Sequence, residues 1–160
     1  MTEANNPFSH LNDAGEVHMV DIHGKDKGYR EATASAIVRC APATIEAIAT
    51  QAAQKGDVLA VMRVAAIMGA KRTPEIIPLA HPISIHGANV TIELNEDSIL
   101  IRVRVKTSDQ TGIEMEALTG ASCAALTGID MVKGMDPHAY IERVWLEEKI
   151  GGKRGCWRRD

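Results

Sequence analysis

Residues 111–133 read TGIEMEALTGASCAALTGIDMVK, and the predicted fold is built around this stretch. Its apolar residues recur at steps of three and four, which places them on one face of an amphipathic helix: Leu118, Ala121, Ala125, Ile129 and Val132. Thr111 and Glu114 have the spacing of a capping box, so Thr111 is the predicted N-cap. Asp130 and Lys133 lie about 60° apart around the axis, away from the centre of the apolar face. By pattern alone they are a surface ion pair.

Five other segments are predicted strands, because apolar and polar side chains alternate along them. They are residues 16–22, 29–39, 84–94, 98–107 and 139–146. The third and fourth are separated by only a short polar turn and form a predicted hairpin. Residues 149–155, after the last strand, are rich in glycine and basic side chains and are expected to form a flexible loop.

Two helices are predicted between the second and third of these strands. Pro42 begins the first, at the position where its missing N–H costs least. Asp57 is the predicted N-cap of the second, residues 58–70, in which Arg63 is the only charged residue. Because this second helix has no polar face, we expect it to be buried in the core or beneath a partner subunit.

From residue 29 onward the predicted order is β-α-α-β-β-α-β. With the apolar helix treated as an insertion, this is the split β-α-β pattern of an α+β, ferredoxin-like fold, an antiparallel sheet with helices on one face. The other face of such a sheet can pack on another subunit, so a homo-oligomer is expected. Residues 10–160 are predicted to form a single domain, preceded by a flexible polar extension of residues 1–9.

Composition argues against several classes of function. The chain has 160 residues, of which 45% are apolar and 24% charged, as in globular proteins. A net charge of −3 leaves no basic excess for nucleic-acid binding, and no apolar run is long enough to span a membrane. The first residues lack the basic and apolar regions of a signal peptide, and the three cysteines form no C-x-x-C pair. We therefore expect a cytoplasmic protein without nucleic-acid or membrane partners.

His81 is the first candidate for chemistry. Pro82 favours an extended conformation at His81 and Pro78 stiffens the approach, so the imidazole has a fixed direction. A lone histidine is nevertheless more often structural than catalytic. Together with Glu114 and Glu116 it makes a candidate set of metal ligands, but the H-E-x-x-H and C-x-x-C spacings are both missing, and no protein-bound metal is predicted.

Basic side chains gather in loops near both ends of the chain: Lys25, Lys27 and Arg30 early, and Lys149, Lys153 and Arg154 late. Most charge runs are simply solvated. Gly151 and Gly152 would, however, allow backbone N–H groups to join these cations around phosphate oxygens. The chain has no P-loop motif, so a phosphate site would be built from dispersed cations. Lys55, beside Gly56, is a further candidate, since glycine lets a ligand approach the backbone closely.

Several blocks of the sequence resemble the molybdenum cofactor biosynthesis protein C family, the cyclic pyranopterin monophosphate synthases. They are residues 10–21, 55–57, 70–73, 77–82, 111–119, 130–133 and 151–153. The resemblance implies a hexamer, a trimer of dimers with active sites at subunit interfaces. It also implies a lyase reaction, in which 3′,8-cyclo-7,8-dihydroguanosine 5′-triphosphate is rearranged to cyclic pyranopterin monophosphate with release of pyrophosphate.

The resemblance also implies roles for individual residues. Asp130 and Lys133 match the central catalytic pair, and Lys55 matches a second catalytic lysine. Substrate-binding positions are matched by Leu79, Ala80, His81, Glu114, Met115, Glu116, Arg30, Lys27 and Lys149, with Lys153 in the last block. Ala80 is a departure, because the family commonly has cysteine there, and we expect it only to line the pocket.

Two other functions stay open at this point. One is a metal-dependent nucleotide hydrolase that uses His81, Glu114 and Glu116 as ligands, and the other is a ferredoxin-like ligand-binding module without catalysis. The synthase interpretation requires repeated proton transfers, which two lysines and a carboxylate can supply. It expects no protein-bound cofactor and leaves open whether Mg²⁺ accompanies the substrate triphosphate.

Overall fold

The computed structural model describes residues 10–12, 14–152 and 155–160. Its helices are α1 (Pro42–Ala49), α2 (Val58–Lys71), α3 (Thr73–Ile76) and α4 (Glu114–Val132). Its strands are β1 (Gly28–Arg39), β2 (Gly87–Leu94), β3 (Ser98–Asp109), β4 (Tyr140–Ile150) and β5 (Trp157–Arg158). The predicted extension, residues 1–9, and the candidate Lys153 lie outside the described residues.

The strands form one antiparallel sheet in the order β2-β3-β1-β4-β5. Strand β1 lies in the middle, paired with β3 on one side and β4 on the other. The helices α2 and α4 pack together on one face of this sheet. The predicted ferredoxin-like α+β architecture is therefore confirmed, with the short α3 and β5 as additions.

The core lies between the sheet and α4. Its strand residues alternate along β1 and β3, as a sheet with one covered face requires: Ala32, Ala34, Ala36, Val38, Ile99, Ile101, Val103 and Val105. The opposite face carries charged side chains that pair across strands. Glu147, for example, accepts hydrogen bonds from Ser35 Oγ at 2.7 Å and from Arg102 Nε at 3.0 Å.

Helices α2 and α4 run antiparallel and approach closely at small residues. A Cβ added to Gly69, late in α2, would lie 2.6 Å from the Sγ of Cys123. A Cβ added to Gly128, late in α4, would lie 3.1 Å from the Cε of Met62, early in α2. This pairing places the loop before α2 at the end of α4, and the chain after α2 at the start of α4.

The apolar character of α2 is only partly explained by the core of one chain. Val58, Met62 and Ala66 are buried against α4 and the sheet. Val61 and Val64, on another side of the same helix, are 42% and 56% exposed. The expected burial of α2 is thus confirmed for one side only. None of the described helices has the length and apolar character needed to span a membrane.

The prediction of a strand at residues 16–22 is wrong. The segment makes a single isolated bridge, between Val17 and Leu11. Asn12 closes a tight turn before it, because its side-chain oxygen accepts hydrogen bonds from the backbone N–H groups of Ala14 and Glu16. Val20 and Ile22, later in the segment, line a cavity described below, whereas Val17 and Met19 are exposed.

Candidate active site

Lys55, Asp130 and Lys133 meet at the C-terminal end of α4, and we call them the lysine cluster. The Nζ of Lys133 lies 2.7 Å from Asp130 Oδ1, and the Nζ of Lys55 lies 3.2 Å from Asp130 Oδ2. Lys55 Nζ also donates to the backbone carbonyl of Asp130 at 2.6 Å. All three side chains are exposed, by between 44% and 62%. The predicted surface ion pair is therefore part of a three-residue group, joined by a lysine 75 positions away in the sequence.

The lysine cluster follows from how α2 begins and α4 ends. Asp57 caps α2 by accepting a hydrogen bond from Ala60 N at 2.9 Å, and Gly56 makes the turn before it with a φ of +91°. Lys55 therefore leaves this turn beside the end of α4. The last carbonyl groups of a helix carry partial negative charge, which favours both ammonium groups there.

The two lysines act on the charge state of Asp130. The hydrogen bond from Lys133, followed by that from Lys55, lowers the pKa of the Asp130 carboxyl below its ordinary value. Asp130 is therefore ionised across the neutral range, and it holds two ammonium groups on one exposed surface.

A second set of predicted site residues lines a cavity of about 440 Å³ at the other end of α4, which we call the histidine cavity. Its lining residues are His10, Val20, Ile22, Lys25, Leu79, Ala80, His81, Thr111, Gly112, Glu114, Met115 and Glu116. They come from the N-terminal segment, the proline-flanked loop after α3 and the first turn of α4. Six of the predicted substrate-binding positions are thus brought together.

His81 is fixed in this cavity by the N-terminal segment. Its Nε2 lies 2.7 Å from the backbone carbonyl oxygen of Val20. Because a carbonyl oxygen only accepts, Nε2 carries the proton, and in the neutral imidazole Nδ1 is the acceptor. The stiff loop and this hydrogen bond together define both the position and the tautomer of His81.

Glu116 is a buried acid in the wall of the histidine cavity, with only 3% of its surface exposed. Burial raises the pKa of its carboxyl to about 7, and the nearby charge of Glu114 adds to the increase. Near neutral pH, Glu116 is therefore divided between a form that donates a hydrogen bond and a form that only accepts.

A neighbouring cavity of about 360 Å³ is lined by three basic side chains, Lys25, Arg30 and Lys149, and by two acidic ones, Glu31 and Glu114. We call it the cationic cavity. Glu114 lies in the walls of both cavities, and its Oε1 pairs with Lys149 Nζ at 2.8 Å. A Cβ on Gly112 would overlap the Glu114 carboxylate, so glycine is what lets this side chain pack there.

Two predictions about local structure around the cationic cavity are wrong. Thr111 is not the N-cap of α4, since Ile113 takes that position without a side-chain hydrogen bond. The Glu114 that would complete the capping box pairs with Lys149 instead. Lys149 itself lies in β4, opposite Ala32, and not in a loop.

Lys25 was not among the substrate-binding positions that the resemblance implied. It lines both cavities, whereas Lys27, the predicted cation, lines neither. Both lysines belong to the same basic loop in the sequence, and nothing in their spacing distinguishes one from the other. His10, Thr111 and Gly112 also line the histidine cavity without having been predicted as site residues.

The lysine cluster and the two cavities are not close to one another within one chain. Glu114 and Asp130 belong to opposite ends of α4, and at about 1.5 Å of rise per residue they lie roughly 24 Å apart along its axis. One chain therefore presents two separate groups of candidate functional residues.

The metal-ligand alternative finds no support in this geometry. In the part of the chain that the structure describes, no group of three His, Cys, Asp or Glu side chains is placed to hold a metal ion. His81, Glu114 and Glu116 share a cavity without converging as ligands.

Comparison with known proteins decides the family. Residues 19–152 match the model of the MoaC family. The chain belongs to this family. A relative from Streptomyces avermitilis is 49% identical over 98% of this chain and 92% of its own length. Relatives from Streptomyces coelicolor and Peptoclostridium acidaminophilum are each 48% identical, over 95% and 96% of this chain and 89% and 98% of their own lengths. All three carry the name cyclic pyranopterin monophosphate synthase.

Proposed function

We propose that this protein is a cyclic pyranopterin monophosphate synthase of molybdenum cofactor biosynthesis. As a lyase, it would convert 3′,8-cyclo-7,8-dihydroguanosine 5′-triphosphate to cyclic pyranopterin monophosphate and pyrophosphate. Membership of the MoaC family and close relatives of that name along nearly the whole chain support this function. The structural observation that supports this chemistry is that Lys55 and Lys133 both pair with the carboxylate of Asp130.

The lysine cluster supplies proton transfer in this proposal. Rearranging the purine-derived ring and closing a cyclic phosphate both need groups that give and take protons. Lys133, held at 2.7 Å by the ionised Asp130, is the proposed general acid and base, and Lys55 is the second lysine. Asp130 fixes the direction of both ammonium groups and balances their charge.

The two cavities divide the substrate between them. The histidine cavity, with Leu79, Ala80, Met115 and the carboxyl of Glu116, suits a flat ring system with polar edges. The cationic cavity suits the triphosphate, because three basic side chains stabilise the negative charge that builds up on departing pyrophosphate. Because Lys25 lines the cationic cavity and Lys27 does not, we assign triphosphate binding to Lys25 in this proposal. The role predicted for Lys27 stays a prediction.

A complete active site requires a second subunit in this proposal. The roughly 24 Å between Glu114 and Asp130 is too long for one small substrate to touch both ends of α4 in one chain. A partner subunit that brings its own lysine cluster to the cavities would close this distance, and the exposed Val61 and Val64 of α2 offer apolar surface for such contacts. We therefore propose a homo-hexamer, a trimer of dimers with active sites at subunit interfaces.

The remaining expectations are also proposals. No protein-bound cofactor is needed for a rearrangement without a redox step, and any Mg²⁺ is expected to arrive with the substrate triphosphate. The thiols of Cys40, Cys123 and Cys156 are unpaired, which favours a reducing compartment such as the cytoplasm. With a net charge of −3, we propose no nucleic-acid or membrane partner.

The function is tested by incubating the purified protein with the cyclised dihydroguanosine triphosphate and measuring both products. Stoichiometric pyrophosphate and cyclic pyranopterin monophosphate are expected, in the presence of a chelator of transition metals. Release of phosphate or pyrophosphate without the pyranopterin would favour a hydrolase, and binding without turnover would favour a ligand-binding module.

A further inference from the structure

Two consecutive glycines at the end of β4 lie against Arg30 of β1. Gly151 and Gly152 both have positive φ, +94° and +81°, a region that other residues rarely adopt. A Cβ on Gly151 would overlap the backbone carbonyl oxygen of Tyr29, so Gly151 is required by the adjacent strand. A Cβ on Gly152 would instead overlap the Nη1 of Arg30.

The space beside Gly152 belongs to Arg30. Among the described residues other than its chain neighbours, the Arg30 atoms Nη1 and Cζ are the ones within 4 Å of a Cβ at position 152. On its other side Arg30 Nε donates to the backbone carbonyl of Asp109 at 3.4 Å. The guanidinium is therefore held between the end of β3 and the backbone of Gly152, in the wall of the cationic cavity.

We propose that Gly152 is a positioning residue for the phosphate-binding Arg30. By lacking a side chain, it leaves open the slot in which the guanidinium lies, and so directs this planar group toward the triphosphate. The inference rests on the proposed function of the cationic cavity. It matters because a guanidinium binds phosphate oxygens through a rigid fork of N–H groups, so a displacement of about one ångström loses hydrogen bonds that a flexible ammonium would keep.

Glycine at position 152 has a second explanation, namely that positive φ alone requires it. Gly155 provides the matched control for this explanation. It also has positive φ, +65°, and it belongs to the same turn, since its N–H donates to the Gly152 carbonyl at 3.1 Å. A Cβ at Gly155 would have no atom of the described residues within 4 Å, apart from its own residue and its chain neighbours. Alanine at 155 therefore tests backbone strain without occupying the slot.

The experiment measures binding of inorganic tripolyphosphate by calorimetry to five full-length proteins in their native assembly. These are the wild type, Gly152→Ala, Gly155→Ala, Arg30→Ala and the double variant Arg30→Ala/Gly152→Ala. We expect Gly152→Ala and Arg30→Ala each to bind roughly 10- to 100-fold more weakly, the range for a charge-assisted hydrogen bond. Gly155→Ala should stay within about twofold of wild type, and the double variant within about twofold of Arg30→Ala, because the slot is then empty.

Turnover gives a second readout. The KM of Gly152→Ala should rise by the same factor as its loss of tripolyphosphate affinity, with kcat within about threefold of wild type, because the triphosphate is bound in the ground state. A structural defect in the site would lower kcat as well.

Several results would overturn the inference. One is equal tripolyphosphate affinity of Gly152→Ala and Gly155→Ala. A second is that Gly152→Ala lowers this affinity by the same factor whether or not Arg30 is present. The third is that the wild type binds no tripolyphosphate. If Gly152→Ala does not fold, the double variant should still fold as Arg30→Ala does, because removing Arg30 removes the clash. A double variant that also fails to fold would contradict the proposal that Gly152 makes room for Arg30. A wild type that binds tripolyphosphate but makes no pyranopterin would reject the proposed function while leaving the Gly152 result readable.

Discussion

The two ends of α4 differ in how far one chain completes them. At the C-terminal end, Asp130 and Lys133 are 57% and 62% exposed and line neither of the two cavities. At the N-terminal end, Glu116 is buried and Glu114 lies between two cavities built from three other segments of the chain. One end is an exposed group of charges, and the other carries two cavities with walls from several segments.

Under the proposed function, this difference predicts that catalysis by the lysine cluster depends on association. Exposed ion pairs in water contribute little to stability and are weakly directional. Proton transfer by such groups becomes effective when water is excluded around them, which another surface must do. The cavities at the N-terminal end have the converse need in this proposal, because they would hold the substrate but do not include Lys55 or Lys133.

The antiparallel packing of α2 on α4 is the physical origin of this arrangement. It delivers Lys55, before α2, to the end of α4, and it delivers Leu79 and His81, after α2 and α3, to the start of α4. The two halves of the proposed site are therefore separated by the length of a helix that is itself rigidly packed.

The largest expected effect is at the lysine cluster. Replacing Lys133 by Ala removes the proposed general acid and base, so kcat should fall by roughly 10²- to 10⁴-fold. Affinity for tripolyphosphate should change far less, because Lys25, Arg30 and Lys149 hold the triphosphate in this proposal and Lys133 does not. Steady-state kinetics and calorimetry on the same sample check both statements, with circular dichroism as a control for folding. Retained turnover in a folded variant would remove Lys133 from the mechanism.

The next effect concerns binding at the cationic cavity. Lys149→Met should raise KM roughly tenfold or more while kcat changes far less, because it removes a cation that holds the triphosphate. Lys106→Met is the matched control, since Lys106 is an exposed lysine of β3 that lines neither cavity. Equal changes in the two variants would show a general charge effect in place of a site at Lys149.

A smaller effect is expected on stability at Glu116, and it depends on pH. Burial raises the pKa of this carboxyl from 4.5 to about 7, so the folded state binds a proton that the unfolded state releases. Stability from the neutral carboxyl is therefore lost as pH rises from about 4.5 through about 7. Glu116→Gln stays neutral and should be more stable than wild type by about 1 to 3 kcal/mol at pH 8, with little difference at pH 5.

Chemical denaturation at the two pH values measures this difference. Glu96→Gln, in the exposed turn between β2 and β3, is the control and should show no pH-dependent gain. A gain from Glu116→Gln that is the same at pH 5 and pH 8 would contradict the raised pKa.

The smallest effects compare the starts of the two long helices. Asp57→Ala removes a side-chain cap from α2 and should cost about 1 kcal/mol of unfolding free energy. Thr111→Ala should change stability by less than about 0.5 kcal/mol, because Thr111 does not cap α4. Urea denaturation of both variants is the check. A larger loss from Thr111→Ala than from Asp57→Ala would mean that the capping box forms after all.

Local patterns in the sequence were sufficient for most of the fold. The period of apolar residues located α2, α4 and the hairpin strands, and Asp57 was recognisable as a cap from its position alone. Where a side chain has a partner far along the chain, the same rules failed. Glu114 has the spacing of a capping box with Thr111, but Lys149, distant in sequence, takes its carboxylate.

The candidate site was predictable in its residue types and not in its geometry. Lys55, Asp130 and Lys133 were named from their motifs, yet their contact depends on how α2 packs on α4. Lys25 and Lys27 are alike in sequence, and only the path of the loop brings Lys25 to both cavities. The alternation in residues 16–22 predicted a strand, but only Val20 and Ile22 are used, and they line the cavity that holds His81.

The central claim is that the two ends of α4 from different chains form one active site, and mixed assemblies test it most directly. Lys133→Ala protomers, defective at one end, are co-assembled with Arg30→Ala protomers, defective at the other. At substrate concentrations far below the KM of Arg30→Ala, both parents should turn over slowly. Random mixing should give about a quarter of the sites an intact end from each chain, so the mixture should be clearly more active than either parent. A mixture of Lys133→Ala with Lys55→Ala is the control and should stay inactive, because both changes lie in the lysine cluster. No recovery in the first mixture, with hetero-assembly verified by mass spectrometry, would contradict a site shared between subunits.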